Sequence, residues 1–424
     1  MEDLISMGST PDSRTPQRRT VFIGVLAAVI VAMLAVLTVV LLNGPAQNGG
    51  VGTPPSAAPV APQPPLYVNP DGRDTNDGAS PTTPLATIQA ALEKATPGTT
   101  INLAPGVYRE EPTTVRDGAP GAPITIKGPE TGTDRAGRYQ AVLYGTGKIF
   151  NIDHSWITLD GFTIDGQEQL GGVPYSTDLR TIDTWKQSIQ DRVEDGRLVY
   201  IGSSEQSRDI TGITINNMFL NGAGGECVRL RNNAHDNTIS NSVIQYCGMY
   251  GKGDGADRAV YHNGEGVYIG TSPESDDQPM YDNDTSSNNV VTRNIIRPFG
   301  SECFNIKENS HDNAFDDNVC SGNAENVEFG GSNVELRGYA NVVRNNQISD
   351  SAGYTIKIQN DGKEYDRGGN VVENNRLSGA AGSTFKIKSK ATQGRFCGNN
   401  VVASGALFDA DSNGETPAGV TSPC

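Results

Sequence analysis

The chain has 424 residues, with 33 lysine and arginine residues against 49 aspartate and glutamate residues, and its formal net charge is −16. This acidic excess argues against a nucleic-acid-binding protein, which needs basic residues to neutralise phosphates. Hydrophobic residues make up 36% of the chain and aromatic residues 6%, whereas 50 residues are glycine. The composition therefore disfavours a compact α/β enzyme with a thick core and favours a fold of many short strands and turns.

The first predicted element is a transmembrane helix at residues 21–42, a run of 22 residues without a charge. Such a run is long enough to cross a hydrocarbon core of about 30 Å. Arg14, Arg18 and Arg19 precede it, so residues 1–20 are predicted to be cytoplasmic and the rest to be exported to a bacterial cell surface. A cleaved signal peptide is the alternative, although the run exceeds an ordinary signal-peptide core and no small-residue cleavage site follows closely.

Residues 43–65 are rich in proline, glycine and alanine without periodicity, which is typical of a spacer between a membrane and a folded domain. The folded domain is therefore predicted at residues 66–424. Near its start, residues 85–95 have the apolar spacing of a helix. We expect this helix to cap the open end of the domain and to cover its unpaired edge.

The domain contains an internal repeat. GECVRLRNNAHDN at residues 225–237 matches SECFNIKENSHDN at residues 301–313, and related strands occur in GEGVYIG, SNVELR, AGYTIK and STFKIK. Short strands that recur at intervals of 20 to 39 residues, with Asn or Gly between them, are typical of a solenoid. Leucine-rich repeats are the competing solenoid, but their leucine spacing is absent. The sequence therefore predicts an all-β parallel β-helix in which these residues stack: Leu230, Ile269, Ile306, Leu336, Ile356 and Ile387.

All six cysteines lie in the predicted exported domain, where disulfides can form. Cys397 and Cys424 are predicted to pair and to clamp the end of the chain. The other four cysteines, which either form disulfides or remain buried thiols, are Cys227, Cys247, Cys303 and Cys320.

Three glutamates occupy one equivalent corner of the repeat: Glu226, Glu265 and Glu302. Equivalent positions on adjacent coils lie about 4.8 Å apart, and two carboxylates at about 5 Å repel by roughly 3 kcal/mol at an effective dielectric near 20. The row therefore needs a cation, a shared proton or water. Oxygen ligands favour Ca²⁺, with Asn263 adding an amide oxygen; the alternative is a solvated acidic edge.

The position after the last apolar residue of each strand is basic in five of six cases. Side chains alternate along a strand, so this position faces outward. A basic row beside an acidic corner indicates a groove for an anionic chain, in which a glycine leaves room for a sugar ring; ordinary surface lysines that balance acids are the alternative. Tyr268 is a candidate sugar-stacking residue and His262 a candidate substrate contact. The row consists of Arg231, Gly270, Lys307, Arg337, Lys357 and Lys388.

These residue types suit β-elimination on a uronate polysaccharide. Removal of the C5 proton, which lies next to a carboxylate, builds negative charge that a cation and positive side chains must stabilise. Lys307 is the candidate base, deprotonated under the influence of positive neighbours such as Arg337. Arg337 is effectively always protonated, so charge stabilisation is its first role and proton delivery to the leaving oxygen its second.

Two resemblances support this interpretation. LYVNPDGRDTNDG and LATIQAALEKATPGTTINLAPGVYRE resemble the entry segment of the pectate-lyase-like superfamily, which implies a right-handed single-stranded parallel β-helix. NGEGVYIGTS, SECFNIK and ELRG resemble the site segments of polysaccharide lyase family 6, the alginate lyase and chondroitinase B group. This resemblance implies Ca²⁺ on Asn263 and Glu302, with Lys307 as base and Arg337 as catalytic arginine.

The sequence departs from the family 6 pattern at one ligand. Gly300 stands where that family has a second acidic ligand, and the Asn263 segment is one residue short. Glu265 shares the corner and is the candidate replacement.

The predicted function is a membrane-anchored extracellular polysaccharide lyase that cleaves a uronate-containing polymer by calcium-assisted β-elimination. It would act as a monomer on an acidic polysaccharide and bind no nucleic acid. The alternative is a non-catalytic cell-surface β-helix that binds glycan or has a structural role. A glycoside hydrolase ranks third, since Asp254 and Asp257 are paired without a recognisable arrangement.

Overall fold

The computed structural model describes residues 63–129, 139–167, 196–203, 208–248, 264–273, 284–325, 327–328, 330–402, 405–412, 414 and 416–424. The predicted segments at 1–20 and 21–42, and nearly all of the predicted spacer, lie outside these residues. No helix within the described ranges is long and apolar enough to span a membrane.

The described part of the chain folds into short strands, with one helix between the first two and a 3-10 turn at Lys363–Tyr365. In chain order these are β1 (Leu66–Val68), α1 (Ile88–Lys94), β2 (Thr100–Leu103), β3 (Gly106–Arg109), β4 (Ile124–Lys127), β5 (Ala141–Tyr144), β6 (Lys148–Ile152), β7 (Ile157–Asp160), β8 (Thr163–Asp165), β9 (Arg197–Ile201), β10 (Thr214–Asn216), β11 (Phe219–Asn221), β12 (Val228–Leu230), β13 (Thr238–Ser240), β14 (Val243–Gln245), β15 (Val267–Ile269), β16 (Val290–Thr292), β17 (Ile295–Arg297), β18 (Phe304–Ile306), β19 (Ala314–Asp316), β20 (Val319–Ser321), β21 (Ser332–Leu336), β22 (Val342–Arg344), β23 (Gln347–Ser349), β24 (Tyr354–Ile358), β25 (Val371–Glu373), β26 (Arg376–Ser378), β27 (Phe385–Ile387), β28 (Phe396–Cys397) and β29 (Asn400–Val402).

These strands form three parallel sheets. Sheet A has the order β1-β2-β4-β7-β10-β13-β16-β19-β22-β25-β28, sheet B the order β29-β26-β23-β20-β17-β14-β11-β8-β5-β3, and sheet C the order β27-β24-β21-β18-β15-β12-β9-β6. From β4 onward the chain visits sheets A, B and C in turn, so each coil adds one strand to each sheet. The predicted all-β parallel β-helix is confirmed.

Helix α1 closes the first coil, as predicted. Its apolar face, Ile88, Ala91 and Leu92, is buried in the core at this end. The helix begins at Ile88 because Leu85 still pairs with β1, its backbone N–H donating to the Tyr67 carbonyl at 2.9 Å. The Glu110 carboxylate accepts hydrogen bonds from two backbone N–H groups of the first turn, which otherwise lack partners.

Apolar residues stack coil on coil inside sheet C and fix its register. Leu336 pairs with Ile358, so the prediction that Ile356 continues the row is wrong. Strand β24 extends one residue beyond the AGYTIK pattern, to Ile358, and Ile356 lies one inward position earlier, opposite Val334. The stacked row therefore consists of Leu230, Ile269, Ile306, Leu336, Ile358 and Ile387, each at most 1% exposed.

Buried asparagines form two ladders at the corners of the coils. In each ladder the side-chain amide donates to the asparagine of the next coil and to a backbone carbonyl; Asn289, for example, donates to the Oδ1 atom of Asn313 at 2.9 Å and to the Ala234 carbonyl at 2.9 Å. The left-handed conformation falls on the preceding residue, such as Asn288 with φ of 54°. The ladders thus satisfy corner amides that burial would otherwise leave unpaired. Their members are Asn237, Asn289, Asn313, Asn341 and Asn370, and Asn294, Asn318, Asn346, Asn375 and Asn399.

All six cysteines form disulfides. The predicted Cys397–Cys424 bond closes the end of the chain, and the open alternative for the others is resolved as Cys227–Cys247 and Cys303–Cys320. Cys227 and Cys303 directly follow two of the stacked glutamates. The Cys227–Cys247 and Cys303–Cys320 bonds therefore tie the corners that carry Glu226 and Glu302 to sheet B.

Candidate functional site

The outer face of sheet C carries three rows of side chains. We call them the edge row, before each strand core, the central row, at the middle outward position, and the far row, just after the last inward residue. Strand register places Lys148, Arg197, Glu226, Glu265, Glu302, Ser332 and Tyr354 in the edge row; Asn151, Tyr200, Arg229, Tyr268, Asn305, Glu335, Lys357 and Lys386 in the central row; and Arg231, Gly270, Lys307, Arg337, Gln359 and Lys388 in the far row.

The register agrees with most of the predicted alignment. The three glutamates share one row, and the far row contains every predicted member except Lys357. Because Lys357 pairs with Glu335, it belongs to the central row, and Gln359 takes its place beside Arg337. Lys388 is exposed at the C-terminal end of the far row. His262 and Asn263, as well as Asp254 and Asp257, lie outside the described residues.

Glu226 is paired with two arginines. Its carboxylate lies 2.6 Å from the Nε atom of Arg197 and 3.3 Å from the Nη1 atom of Arg229, and the glutamate side chain is 0% exposed. Burial raises the pKa of Glu226, but Arg229 and Arg197 outweigh it and hold the pKa below its ordinary value. This glutamate is therefore already neutralised by the protein.

Glu265 and Glu302 are buried with fewer cations nearby. Burial and the neighbouring Glu226 raise the pKa of Glu265 to about 7, against the opposing effect of Lys307. Burial and Glu335 raise the pKa of Glu302 well above its ordinary value. The Asn305 amide donates to both Glu302 and Glu335 at 3.3 Å. Within the described ranges, the Oε2 atom of Glu265 and the Oδ1 atom of Asn305 are buried without a hydrogen-bond partner.

The Lys307 amine lies 4.7 Å from the centre of the Tyr268 ring, and the residue is 8% exposed. It forms no hydrogen bond and no ion pair with the described residues. Burial lowers its pKa and so does Arg337, but Tyr268, Glu335 and Glu265 raise it, and the balance is a raised pKa. The expectation that Arg337 keeps this amine deprotonated is therefore wrong, because the tyrosine and the two carboxylates together outweigh burial and the arginine.

Tyr268 is enclosed by cations rather than open to solvent. Its ring centre lies 4.9 Å from the Arg229 guanidinium, 5.7 Å from that of Arg231 and 4.7 Å from the Lys307 amine, and the residue is 5% exposed. Its ring face is thus contacted by cations instead of offering a free stacking surface. Burial raises the pKa of its hydroxyl, which forms no hydrogen bond with the described part of the protein.

Arg337 is held by three carboxylates. Its Nε atom lies 3.0 Å from Glu335, its Nη1 atom lies 3.1 Å from Glu308, and the same nitrogen contacts Asp361. Burial lowers its pKa, but Glu335, Glu308 and Asp361 raise the pKa by more than burial lowers it. The guanidinium is therefore a permanent charge. Burial raises the pKa of Glu308 to about 7, whereas Arg337 and Lys357 hold that of Glu335 below its ordinary value.

Sequence reasoning missed the acids around Arg337. Glu335 belongs to the repeated strand pattern and occupies the outward position of Asn305 one coil earlier. The same alternation that identified the far row would have identified this residue. Asp361 lies in the loop after β24 and carries no repeat signal that would have revealed it.

Gly300 fits its position because no side chain has room there. A Cβ atom at residue 300 would lie 2.2 Å from the Cys247 carbonyl oxygen and 2.8 Å from that of Gly264. Cys247 is fixed in turn by its disulfide to Cys227. An acidic ligand at this position would therefore require a shift of the backbone.

The stacked glutamates do not form a compact three-carboxylate cluster. Among the described residues, the one group of three Asp, Glu, His or Cys ligand atoms within 4.8 Å of one another is Glu373, Cys397 and Cys424, and both cysteines are in a disulfide. Glu265 and Glu302 thus remain neighbours in the edge row, and the Oε2 atom of Glu265 has no partner among the described residues.

Comparison with solved structures identifies the fold. The alginate lyase from Paenibacillus sp. str. FPU-7 aligns with a TM-score of 0.51 and 20% identity over 76% of this chain and 95% of that chain. Pectate lyase Pel9A aligns with a TM-score of 0.51 and 15% identity over 84% of this chain and 82% of that chain. The chain has the parallel β-helix fold of these lyases. The predicted resemblance to the pectate-lyase-like superfamily is confirmed at the level of the fold.

Sequence comparison gives a short match. The uncharacterized protein YwoF of Bacillus subtilis (strain 168) is 40% identical over 62 residues, which is 15% of this chain and 13% of that protein. The match thus spans less than one seventh of the relative. No family model matches the sequence.

Proposed function

We propose that the protein is a polysaccharide lyase that cleaves a uronate polymer by β-elimination at the centre of sheet C. The observation that carries the proposal is the pairing of Lys307 with Tyr268. Both side chains are more than nine-tenths buried, yet neither the amine nor the hydroxyl has a hydrogen-bond partner among the described residues. Neither atom is among the fully buried polar atoms without a partner, so each keeps some contact with solvent and is available to a ligand. The alginate and pectate lyases that share the fold act on polymers of this class.

The residues divide the reaction between them. The Lys307 amine takes the C5 proton, the C–H electron pair forms the C4–C5 double bond, and the C4–O bond breaks. The departing glycosidic oxygen receives the proton of the Tyr268 hydroxyl, whose raised pKa keeps it protonated before the reaction. Lys307 must first lose a proton, because its own pKa is raised. We therefore expect turnover to increase toward alkaline pH.

Arg337 supplies fixed positive charge and does not donate the proton. Its three carboxylate partners hold it one coil away from Lys307 in the far row. A permanently charged guanidinium stabilises the negative charge that develops on the uronate carboxylate. Lys357, Arg231 and Lys388 extend positive charge along the same face and are the proposed substrate contacts.

Calcium remains part of the proposal. The unpartnered oxygens of Glu265 and Asn305 suit a hard cation, and Glu265, Glu302 and Asn263 are the residues that would hold it. Glu226 is left out of this set because Arg197 and Arg229 already pair with it. A bound Ca²⁺ would neutralise the uronate carboxylate.

The test is the appearance of unsaturated uronates, which absorb in the near ultraviolet. The full-length protein is incubated with alginate, pectate and dermatan, with and without EDTA. Lys307→Ala and Tyr268→Phe are expected to abolish product, whereas Lys390→Ala, an exposed lysine outside the three rows, retains it. Wild-type protein that produces no absorbance on any polymer contradicts the lyase proposal. Undiminished turnover in EDTA removes calcium from it.

Gly300 favours the second candidate, a non-catalytic glycan-binding β-helix. The crowding at this position leaves the family 6 acid without an equivalent. This candidate predicts binding of a uronate polymer without unsaturated product. Equilibrium binding measured beside the absorbance assay separates the two.

We also propose that residues 21–42 anchor the protein, as a monomer, in a bacterial membrane with residues 66–424 outside. The charge asymmetry around the apolar run supports this orientation. Protease added to intact cells should degrade the C-terminal domain. Protection of that domain until the cells are lysed contradicts the orientation.

A further inference from the structure

The proposed acid and base of the reaction project from the same face of sheet C. Tyr268 is the middle residue of β15, and Lys307 directly follows β18 on the next coil. Val267, Ile269 and Ile306 point into the core beside them, so strand alternation directs both side chains outward. The amine and the hydroxyl each keep some contact with solvent. A polymer bound on the outer face of sheet C therefore meets both groups from one side.

The short distance between the two groups excludes a sugar ring from the space between them. The Lys307 amine lies over the Tyr268 ring, 4.7 Å from the ring centre. A sugar held between an amine and an aromatic ring needs a van der Waals contact of about 3.5–4.0 Å on each side, which makes about 7–8 Å in all. The pair therefore cannot act on a uronate from opposite faces, and both groups must approach the same face of the sugar.

Three successive coils present the functional groups in the order of the uronate atoms. Tyr268 precedes Lys307 by one coil, and Arg337 follows Lys307 by one coil in the far row. Adjacent coils lie about 4.8 Å apart. In a uronate, the O4 atom, the C5 hydrogen and the carboxylate likewise follow one another along C4, C5 and C6. A sugar with its C5 hydrogen at Lys307 can therefore direct O4 to Tyr268 and its carboxylate to Arg337.

The relative orientation of O4 and the C5 hydrogen divides uronates into two classes. In mannuronate and glucuronate the two lie on the same face of the sugar ring, and we call these uronates cis. In guluronate, iduronate and galacturonate, which are epimers of the former at C5 or C4, the two lie on opposite faces, and we call these uronates trans. An acid and a base on one side of the sugar can reach both reacting atoms only in a cis uronate.

We propose that the protein cleaves by syn elimination and is selective for cis uronates, namely mannuronate and glucuronate. The proposal rests on the lyase function proposed above and adds the stereochemical class of the substrate. Lys307 removes the C5 proton, and the C–H electron pair forms the C4–C5 double bond. The C4–O4 pair leaves with O4, which takes the Tyr268 proton on the same face. Lys307 has then gained the proton that Tyr268 has lost, and transfer of one proton between these neighbours restores both.

A trans uronate bound in the same way is deprived of the acid. Its C5 hydrogen still reaches Lys307, but its O4 atom then points away from Tyr268. General acid catalysis contributes a factor of about 10²–10⁴ to a rate. We therefore expect kcat/KM for a cis polymer to exceed that for its trans epimer by at least about 100-fold.

The experiment compares three pairs of epimeric polymers. Mannuronan is paired with guluronan and chondroitin with dermatan, which differ at C5, and glucuronan is paired with galacturonan, which differs at C4. The near-ultraviolet absorbance of unsaturated product is followed for the full-length wild type, for Tyr268→Phe and for the control Tyr67→Phe, a partly exposed tyrosine of β1. In each pair that is cleaved, the cis member is expected to be faster for the wild type and for Tyr67→Phe. Tyr268→Phe keeps the ring and removes the acid, so it should lower kcat/KM for the cis polymer to the level of its trans epimer.

The outcomes distinguish this proposal from the lyase function. Cleavage of guluronan, dermatan or galacturonan at or above the rate of its cis partner overturns the syn mechanism and leaves the lyase function intact. A cis preference that survives Tyr268→Phe unchanged also overturns it, because the preference would then lie in binding and not in the position of the acid. The absence of unsaturated product from all six polymers overturns both proposals.

Discussion

Substitution of Arg337 by alanine tests whether this residue is a fixed, buried charge. Arg337 is 17% exposed and pairs with Glu335, Glu308 and Asp361. Its removal leaves Glu335 with Lys357 at 3.4 Å and deprives the other two carboxylates of their cation. Removing one partner of a buried pair costs about 3–5 kcal/mol. We expect Arg337→Ala to lower the free energy of unfolding by this amount at pH 8.

The penalty should shrink at acidic pH. Without the guanidinium the folded-state pKa values of its carboxylates rise, and Glu308 already has a pKa of about 7. A carboxyl group whose pKa is raised on folding favours the folded state at low pH and loses that contribution as pH rises through the raised value. The cost at pH 5.5 is therefore expected to be smaller than at pH 8.

Urea unfolding followed by circular dichroism at both pH values measures the effect. The matched control is Arg344→Ala, which breaks a pair with Asp316 at 3.0 Å in which the arginine is 45% exposed. Such a surface pair contributes about 0–1 kcal/mol, with little change between the two pH values. If Arg337→Ala costs no more than Arg344→Ala at pH 8, or costs more at pH 5.5, the charge assignment at the site is wrong.

Three further predictions follow from the site and the fold. Lys307→Arg keeps the charge and removes the base, so kcat should fall by about 10²–10⁴ while KM changes little; near-ultraviolet kinetics that match the wild type would contradict this role. The free energy of unfolding should decrease as pH rises through about 7, because Glu308 has a raised folded-state pKa; denaturation from pH 5 to 8 should show a flatter curve for Glu308→Gln. Asn313→Ala removes the acceptor of two Asn289 hydrogen bonds and should cost at least about 1–3 kcal/mol in urea unfolding, against little change for the partly exposed Asn102→Ala.

The sequence predicted the row of Lys307 and Arg337 because strand alternation is a local property. An inward residue such as Ile306 fixes the outward direction of the next position whatever the rest of the fold does. The prediction failed at Lys357 because β24 contains two inward isoleucines, Ile356 and Ile358, and either one can end the strand. Only pairing with Leu336 selects the second.

The protonation state of Lys307 was beyond sequence reasoning for a different reason. Its pKa depends on opposing effects of Arg337 and Glu335, on the coil after that of Lys307, and of Glu265, on the coil before it. Strand register brings these residues close, but the sign of the balance depends on how the side chains are arranged. The Arg337–Asp361 contact likewise joins a strand position to a loop residue outside the repeat.

The charge balance at the centre of the site leads to a prediction about calcium. Five carboxyl groups of the described residues lie around the three cations Lys307, Arg337 and Lys357; with all five ionised two negative charges would be uncompensated, and burial accordingly raises the pKa of Glu265, Glu302 and Glu308. The five acids are Glu265, Glu302, Glu308, Glu335 and Asp361.

One divalent cation would balance the full negative surplus, so Ca²⁺ should raise the free energy of unfolding at pH 8 by about 2.7 kcal/mol at a hundredfold excess over its Kd. Glu265→Gln should abolish the shift, whereas Glu373→Gln, in the separate cluster beside the Cys397–Cys424 disulfide, should leave it unchanged. A calcium shift that survives Glu265→Gln would place the ion elsewhere. The absence of any shift would leave bound protons as the compensation, and cleavage would then have to rely on the cations of the chain alone.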